Sequence, residues 1–290
     1  HTALRWAAFL RAAGHKVAVS TEDLASSADL MLALHARRSH ASISSFPADK
    51  PLVVALTGTD VYRDIHRSAE ARESLALAHR LIVLQPHAAR EVPARFRGKV
   101  SVVVQSSATR LRHRPVAGRF RVCVIGHLRP EKDPLRTLLA LGRIPAADLE
   151  VIHLGAALDP GLIPKAEDPR YRWLGGVPHA RALKWLASSH AMVISSRMEG
   201  GANVVCEALR IGVPVLASRI SGNLGLLGPR YRGYFPVEDE AALARLIVRA
   251  AADREFYRAL KGQVAALRPA VSPRREAKAL LQAIRTTSAG

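Results

Sequence analysis

The chain has 290 residues, which at about 150 residues per domain leaves room for two domains. Hydrophobic residues make up 49% and charged residues 23%, so the sequence can bury a core and does not have the composition of a disordered segment. No apolar run reaches the ~18–20 residues that span a bilayer, so no membrane is expected as a partner. Two cysteines, Cys123 and Cys206, make neither a disulfide framework nor a metal cluster, which points to a cytoplasmic protein without a bound metal. The net charge is +19, from 43 Lys and Arg against 24 Asp and Glu, and such a field raises nucleic acid as a partner. The Arg are spread almost evenly, however, and aromatic residues are only 5%, too few for a base-stacking platform. An anionic small substrate suits the charge better than nucleic acid does.

Thr2–Ala13 reads as a helix closed by Gly14. Strand-like runs follow at Lys16–Ser20, Asp29–His35, Leu52–Thr57, Arg80–Gln85 and Lys99–Gln105, with a helix over Ala69–Ala78. The charged stretch Arg110–Arg119 interrupts the pattern, and Pro115 and Gly118 mark it as a linker. A second series of strands runs through Arg121–Gly126, Glu150–Gly155, Arg172–Leu174, Ala191–Ser195 and Val213–Ala217. Its helices are expected at Pro134–Leu141, Ala180–Ser188 and Ala202–Ile211, and the tail Ala241–Ala283 is helical, broken in two by Pro269 and Pro273. Continuous Val/Ile/Leu strands alternating with helices mean parallel sheets covered on both faces. The expected fold class is α/β, with two Rossmann-like doubly wound domains, residues 1–115 and 119–268, facing a central cleft. Residues 269–290 form a C-terminal helix expected to pack back on the first domain. A doubly wound domain opens on a strand and a loop, so about twenty residues are expected ahead of His1.

Three loops carry chemistry. In Ser195–Ala208 a buried strand leads through Glu199, Gly200 and Gly201 into a helix that starts near Ala202 and carries Glu207. Glycines let the amides of Gly200, Gly201, Ala202, Asn203 and Val204 approach a phosphate, and the helix N-terminus adds about half a positive charge. Glu199 and Glu207 can each accept hydrogen bonds from a diol. A plain strand–turn–helix with a surface Glu would show the same pattern. In Val124–Asp133, Gly126 ends a strand and His127, Arg129 and Lys132 precede a helix, which suits a pyrophosphate clamp as well as a solvated charged loop. Thr57, Gly58, Thr59 and Asp60 end a strand of the first series, as a site or as a helix cap.

These stretches resemble the family 4 glycosyltransferases of the GT-B fold. Glu199 and Glu207 reproduce that family's E-x7-E spacing, followed by Gly212-Val213-Pro214-Val215. The resemblance implies that Glu199 contacts the donor sugar, that Glu207 holds the ribose hydroxyls, and that the backbone near Val177 holds a uracil. It also implies that Lys132 neutralises the departing nucleotide diphosphate. The family pattern Gly-Arg-x-x-x-x-Lys has His127 at its Arg position here, with Arg129 able to supply the charge. Thr57–Asp60 is similar to the family's His-Gly-Thr-Asp turn, with Thr57 in place of His. A neutral hydroxyl is no general base near neutral pH, which disfavours an ordinary alcohol acceptor.

Over nearly the whole chain the stretches resemble one narrower group, the selenosugar synthases of selenoneine biosynthesis. The carriers are Thr2–Ala7, Leu56–Ile65, Leu84–Pro86, Gly126–Arg129, Glu131–Pro134, Arg197–Val205, Ser221–Asn223 and Gly225–Gly228. The resemblance implies a UDP-sugar donor, UDP-N-acetylglucosamine or UDP-glucose, and selenophosphate as acceptor, with no cofactor. Selenium attacks the anomeric carbon, UDP leaves, and loss of phosphate gives a 1-selenosugar. Catalysis then falls to Lys132, Arg129, Glu199 and Thr57. The acceptor phosphoryl group calls for cations, with Arg5, Arg37, Arg38, Arg63 and Arg197 as candidates. Arg197, two residues before Glu199, is the best placed of them. The rival expectations are a family 4 enzyme with an alcohol acceptor, a UDP-N-acetylglucosamine epimerase-like enzyme, and a basic nucleic-acid-binding protein.

Overall fold

The structure is a computed structural model that describes residues 2–21, 28–145, 148–165 and 168–288. The helices are α1 (Thr2–Ala12), α2 (His40–Ser45), α3 (Ile65–Arg67), α4 (Ala69–Leu77), α5 (Arg136–Leu141), α6 (His179–Ala187), α7 (Asn203–Ile211), α8 (Ser221–Leu227), α9 (Glu240–Ala252), α10 (Arg254–Leu267) and α11 (Pro273–Ser288). The strands are β1 (Met31–Leu34), β2 (Leu52–Leu56), β3 (Arg80–Val83), β4 (Val100–Val102), β5 (Phe120–Ile125), β6 (Leu149–Leu154), β7 (Tyr171–Trp173), β8 (Ala191–Ile194), β9 (Val215–Ser218) and β10 (Tyr234–Phe235). Two compact units result: one runs to Gln105 and takes in the chain from Pro273, the other spans Ser106–Ser272.

In the first unit β1, β2, β3 and β4 lie side by side in that order, all parallel. Every residue of β2 is buried, because both faces of the sheet are covered. Val53, Ala55, Ile82 and Leu84 pack with Trp6 and Leu10 of α1 and Leu280 and Ile284 of α11. Val54, Leu56, Leu81 and Val83 pack with Ile43, Ile65 and Leu75 on the other side, as a period of two requires. The buried carboxylate of Glu276 fastens α11, accepting from Trp6 Nε1 at 2.7 Å and Arg5 Nε at 3.0 Å. At the end of α1, Gly14 turns left-handed at φ 93° and its N–H reaches Arg11 O at 3.0 Å, while His15 N–H reaches Leu10 O at 3.1 Å. Lys16–Ser20, expected as a strand, is irregular chain with four of its five residues exposed. Its alternation favours extended chain, but Val17 alone packs on the apolar layer, too little burial to add a strand.

In the second unit the order is β10, β9, β8, β5, β6, β7, all parallel. The winding direction reverses between β5 and β8, so a crevice opens beyond their carboxyl ends, where open α/β sheets bind ligands. The loops that leave these two strands are Gly126–Asp133 and Ser195–Ala202. The segment expected as a linker lies along this unit: His113 N–H bonds Ile211 O at 3.2 Å, Arg114 N–H bonds Ala187 O at 2.8 Å and Val116 N–H bonds Ser188 O at 3.0 Å. The helical tail divides at Asp253 as well as at the prolines, because its Oδ1 accepts from the amides of Glu255 at 3.0 Å and Phe256 at 2.9 Å and so caps α10. Among the described residues no helix is long and apolar enough to cross a membrane.

Candidate active site

The crevice of the second unit is built on close backbone contact. A Cβ on Gly155, after β6, would stand 1.9 Å from the carbonyl oxygen of Gly126, after β5, so the two strand ends meet only because this position is glycine. His153 holds the same carbonyl. Its Nε2 lies 3.0 Å from Gly126 O and must donate, so its Nδ1, 2.6 Å from Tyr171 Oη, accepts. Burial pushes the His153 pKa down to about 4, which keeps this neutral form. Trp173 Nε1 donates to Gly155 O at 2.9 Å and Gly155 N–H bonds Gly175 O at 2.8 Å, which ties the segment ahead of Val177 to the same crevice.

His127 follows Gly126, and its Nδ1 accepts the Ala156 N–H at 3.0 Å. Partial burial, then Arg129 and Lys132, lower its pKa, so near neutral pH it offers one Nε2–H rather than a charge. Arg129 Nε lies 3.4 Å from Glu131. Lys132 forms an ion pair with Glu199, and Ser196 Oγ donates to the same Glu199 oxygen at 2.7 Å. The loop of Glu199 is fastened from several sides: Ser195 Oγ donates to Asp133 O at 2.8 Å, Arg197 N–H to Glu131 O at 2.9 Å, and Ser218 Oγ to Ser196 O at 2.6 Å. A Cβ on Gly222 would stand 2.1 Å from Glu199 O, so α8 presses against the backbone of this residue. Gly222→Ala is therefore expected to cost about 1–3 kcal/mol and to shift Glu199. Melting curves and turnover check this, and full activity in the variant would show that Glu199 needs no such support.

Beyond Glu199, Gly200 and Gly201 lead to Ala202, which caps α7 in extended conformation without a side-chain bond to the first turn, ahead of Asn203 and Val204. Glu207, one turn further along α7, lies 2.7 Å from Nε2 of His179 at the start of α6. The structure thus gathers Lys132 and Glu199, expected from separate motifs, into one contact. Arg197, expected to meet the acceptor phosphoryl group, is half-exposed and lies 2.6 Å from Glu238 and 3.8 Å from Asp133.

In the first unit Asp60 is fully buried and spends its carboxylate on main chain. It accepts from the amides of Gly58 at 2.7 Å, Thr57 at 2.9 Å, and Val61 and Ala36 at 3.1 Å. In this way it holds the turn together. Thr57, Gly58 and Thr59 remain half-buried. Arg63 lies 2.9 Å and Arg37 3.9 Å from the buried Asp64, and Arg38 joins through its backbone. Arg5 is spent on Glu276, away from this cluster. At the centre lies His35, which the sequence offers only as the last residue of a strand. Its Nε2 is 3.1 Å from Thr59 Oγ1 and 3.7 Å from Asp64. Burial lowers its pKa most, with Arg38 and Arg37 acting the same way and Asp60 and Asp64 opposing them.

A family described as glycosyl transferases group 1 matches residues 107–265, more than half of the chain. No curated protein sequence matches. Among solved structures, sucrose-phosphate synthase from Thermosynechococcus elongatus is 19% identical with a TM-score of 0.70, over 90% of this chain and 74% of that one. HepE from Anabaena, solved in complex with UDP-glucose, is 19% identical with a TM-score of 0.71, over 90% and 79%. A trehalose 6-phosphate synthase from Burkholderia multivorans is 12% identical with a TM-score of 0.71, over 90% and 72%. These likenesses show the GT-B fold.

Proposed function

The chain belongs to the group 1 glycosyl transferases, and on that premise we propose that it forms a carbon–selenium bond. N-acetylglucosamine or glucose moves from a UDP-sugar to selenophosphate. Selenium attacks the anomeric carbon, the bond from that carbon to the diphosphate oxygen breaks, and UDP leaves with the electron pair. Water then cleaves the selenium–phosphorus bond, giving a 1-selenosugar and phosphate, as selenoneine biosynthesis requires. UDP-glucose bound to HepE, a protein of the same fold, supports a UDP-sugar donor.

The observation that carries the acceptor is the Thr57–Asp60 turn. Thr57 is a hydroxyl, the Asp60 carboxylate is spent on backbone amides, and both ring nitrogens of His35 have hydrogen-bond partners. A base for an alcohol is missing from that set, and an ionised selenium nucleophile needs none. Catalysis reduces to positioning and to stabilising the departing diphosphate. Lys132, Arg129, the His127 N–H and the amides of Gly200–Val204 take the second task, so the proposal includes neither metal nor cofactor. Glu199 meets the sugar, Glu207 the ribose, and the backbone near Val177 the uracil. The reaction belongs in a reducing cytoplasm, which also suits the buried cysteines Cys123 and Cys206.

Glu207→Ala is expected to weaken UDP binding about tenfold, the worth of a charged hydrogen bond. Calorimetry with UDP reads it, and unchanged affinity removes Glu207 from the ribose. The reaction is tested by anaerobic incubation with UDP-N-acetylglucosamine or UDP-glucose and selenophosphate, read by mass spectrometry. A product with the selenium isotope pattern, appearing with UDP, is the expected result. UDP without a selenium product would keep a UDP-sugar transferase with another acceptor, and no UDP from either donor would overturn the donor as well.

A further inference from the structure

His35 ends β1 with φ 80°, a left-handed backbone that a non-glycine residue keeps only where its surroundings enforce it, and such residues gather at functional sites. Its N–H is held by Ala55 O at 2.8 Å. The ring is 3.3 Å from the Arg38 N–H through Nδ1, and a backbone N–H can only donate, so Nδ1 accepts. A neutral ring then carries its proton on Nε2. That proton goes to Thr59 Oγ1 at 3.1 Å, with Asp64 further off at 3.7 Å. A second proton on Nδ1 would oppose the Arg38 N–H, and burial with Arg37 and Arg38 nearby disfavours the charged ring against the pull of Asp60 and Asp64. Thr59 Oγ1 is thereby an acceptor toward His35, and its own hydrogen has no acceptor among the described residues. What the turn can offer a ligand at this point is a donor.

We propose that His35 is a positioning residue of the acceptor site: by donating Nε2–H to Thr59 it fixes the Thr59 hydroxyl as a hydrogen-bond donor to an anionic oxygen or selenium of the acceptor. The identity of the acceptor rests on the function proposed above, while the polarity of Thr59 does not. Without His35 the hydroxyl has no fixed orientation, and the hydrogen bond it gives to the anionic atom of the acceptor weakens. Arg37 and Arg63, both part-exposed beside Asp64, set a cationic rim on the same cluster.

The test uses the full chain and five proteins: wild type, His35→Phe, His35→Gln, Thr59→Val and the double variant of His35→Phe with Thr59→Val. Nitrogen-15 spectra of the imidazoles, with His35 assigned by its loss in His35→Gln, should show a neutral ring protonated at Nε2. Each single variant should raise the KM for selenophosphate about tenfold, the double variant no further, with the KM for the UDP-sugar within about twofold of wild type. His35→Gln, which keeps an N–H toward Thr59, should recover most of the loss. Additive losses in the double variant, a ring protonated at Nδ1, or equal changes in both KM values would overturn the proposal. Should His35→Phe fail to fold, Thr59→Val and the ring tautomer decide. Should the wild type make no selenosugar, the function proposed above falls separately, and thiophosphate binding by calorimetry carries the test. Equal thiophosphate affinity in wild type and Thr59→Val would then overturn the role of His35.

Discussion

Lys132→Ala is expected to lower kcat by about 10²–10³-fold while the affinity for the UDP-sugar falls far less. The ammonium is paired with Glu199, which partly neutralises its charge. As the bond to the diphosphate breaks, negative charge gathers on the leaving oxygens and the attraction to Lys132 grows. An interaction that strengthens in this way appears in kcat. The neighbours cannot take over. His127 is kept neutral by partial burial and by Arg129 and Lys132 themselves, and Arg129 lies beside Glu131. Kinetics with the UDP-sugar varied, alongside a binding isotherm for the same ligand, separate the two effects. A variant that binds the donor poorly yet turns over at the wild-type rate would make Lys132 a ground-state anchor only. The substitution also leaves Glu199, 8% exposed, with Ser196 as the remaining side-chain partner shown, so a melting curve must accompany the kinetics.

The features legible in the sequence are those that local pattern encodes. The strand β2 is readable because all five of its residues are apolar and buried, and a strand covered on both faces must be so. The Glu199–Glu207 loop is readable because strand end, glycine pair and helix start follow one another in sequence. What escapes is set by strand order. Lys132 and Glu199 are 67 residues apart and meet because β5 and β8 are neighbours, a pairing no local pattern contains. Arg197 pairs with Glu238, which the fold brings round from further along the chain. Arg5 has the same fate with Glu276, 271 residues on. His35 is harder still, since one histidine at a strand end carries no signature and a positive φ at a non-glycine residue is invisible in sequence.

Asp60→Ala is expected to destabilise the first unit by about 3–5 kcal/mol. The carboxylate is fully buried and collects the amides of Ala36, Thr57, Gly58 and Val61, which join the loop after β1 to the loop after β2. Alanine leaves the amides of Ala36, Thr57 and Gly58 without this acceptor, while Val61 N–H keeps Gly58 O at 3.1 Å, and a buried amide left unpaired loses its water without compensation. Asp60→Asn separates charge from shape. It keeps one acceptor oxygen but turns an amide N–H₂ against backbone N–H groups, so it too should be destabilising, by less than alanine. Because the chain has two compact units, a single melting temperature would blur the effect. Hydrogen exchange resolves it: protection should fall over 28–105 and stay unchanged over 148–165 and 168–272. Wild-type protection in Asp60→Ala together with lost acceptor binding would return Asp60 to the role its position in the turn suggests, a direct contact with substrate. Lost protection with His35 and Thr59 also displaced would show instead that this buried carboxylate shapes the acceptor site without touching the acceptor.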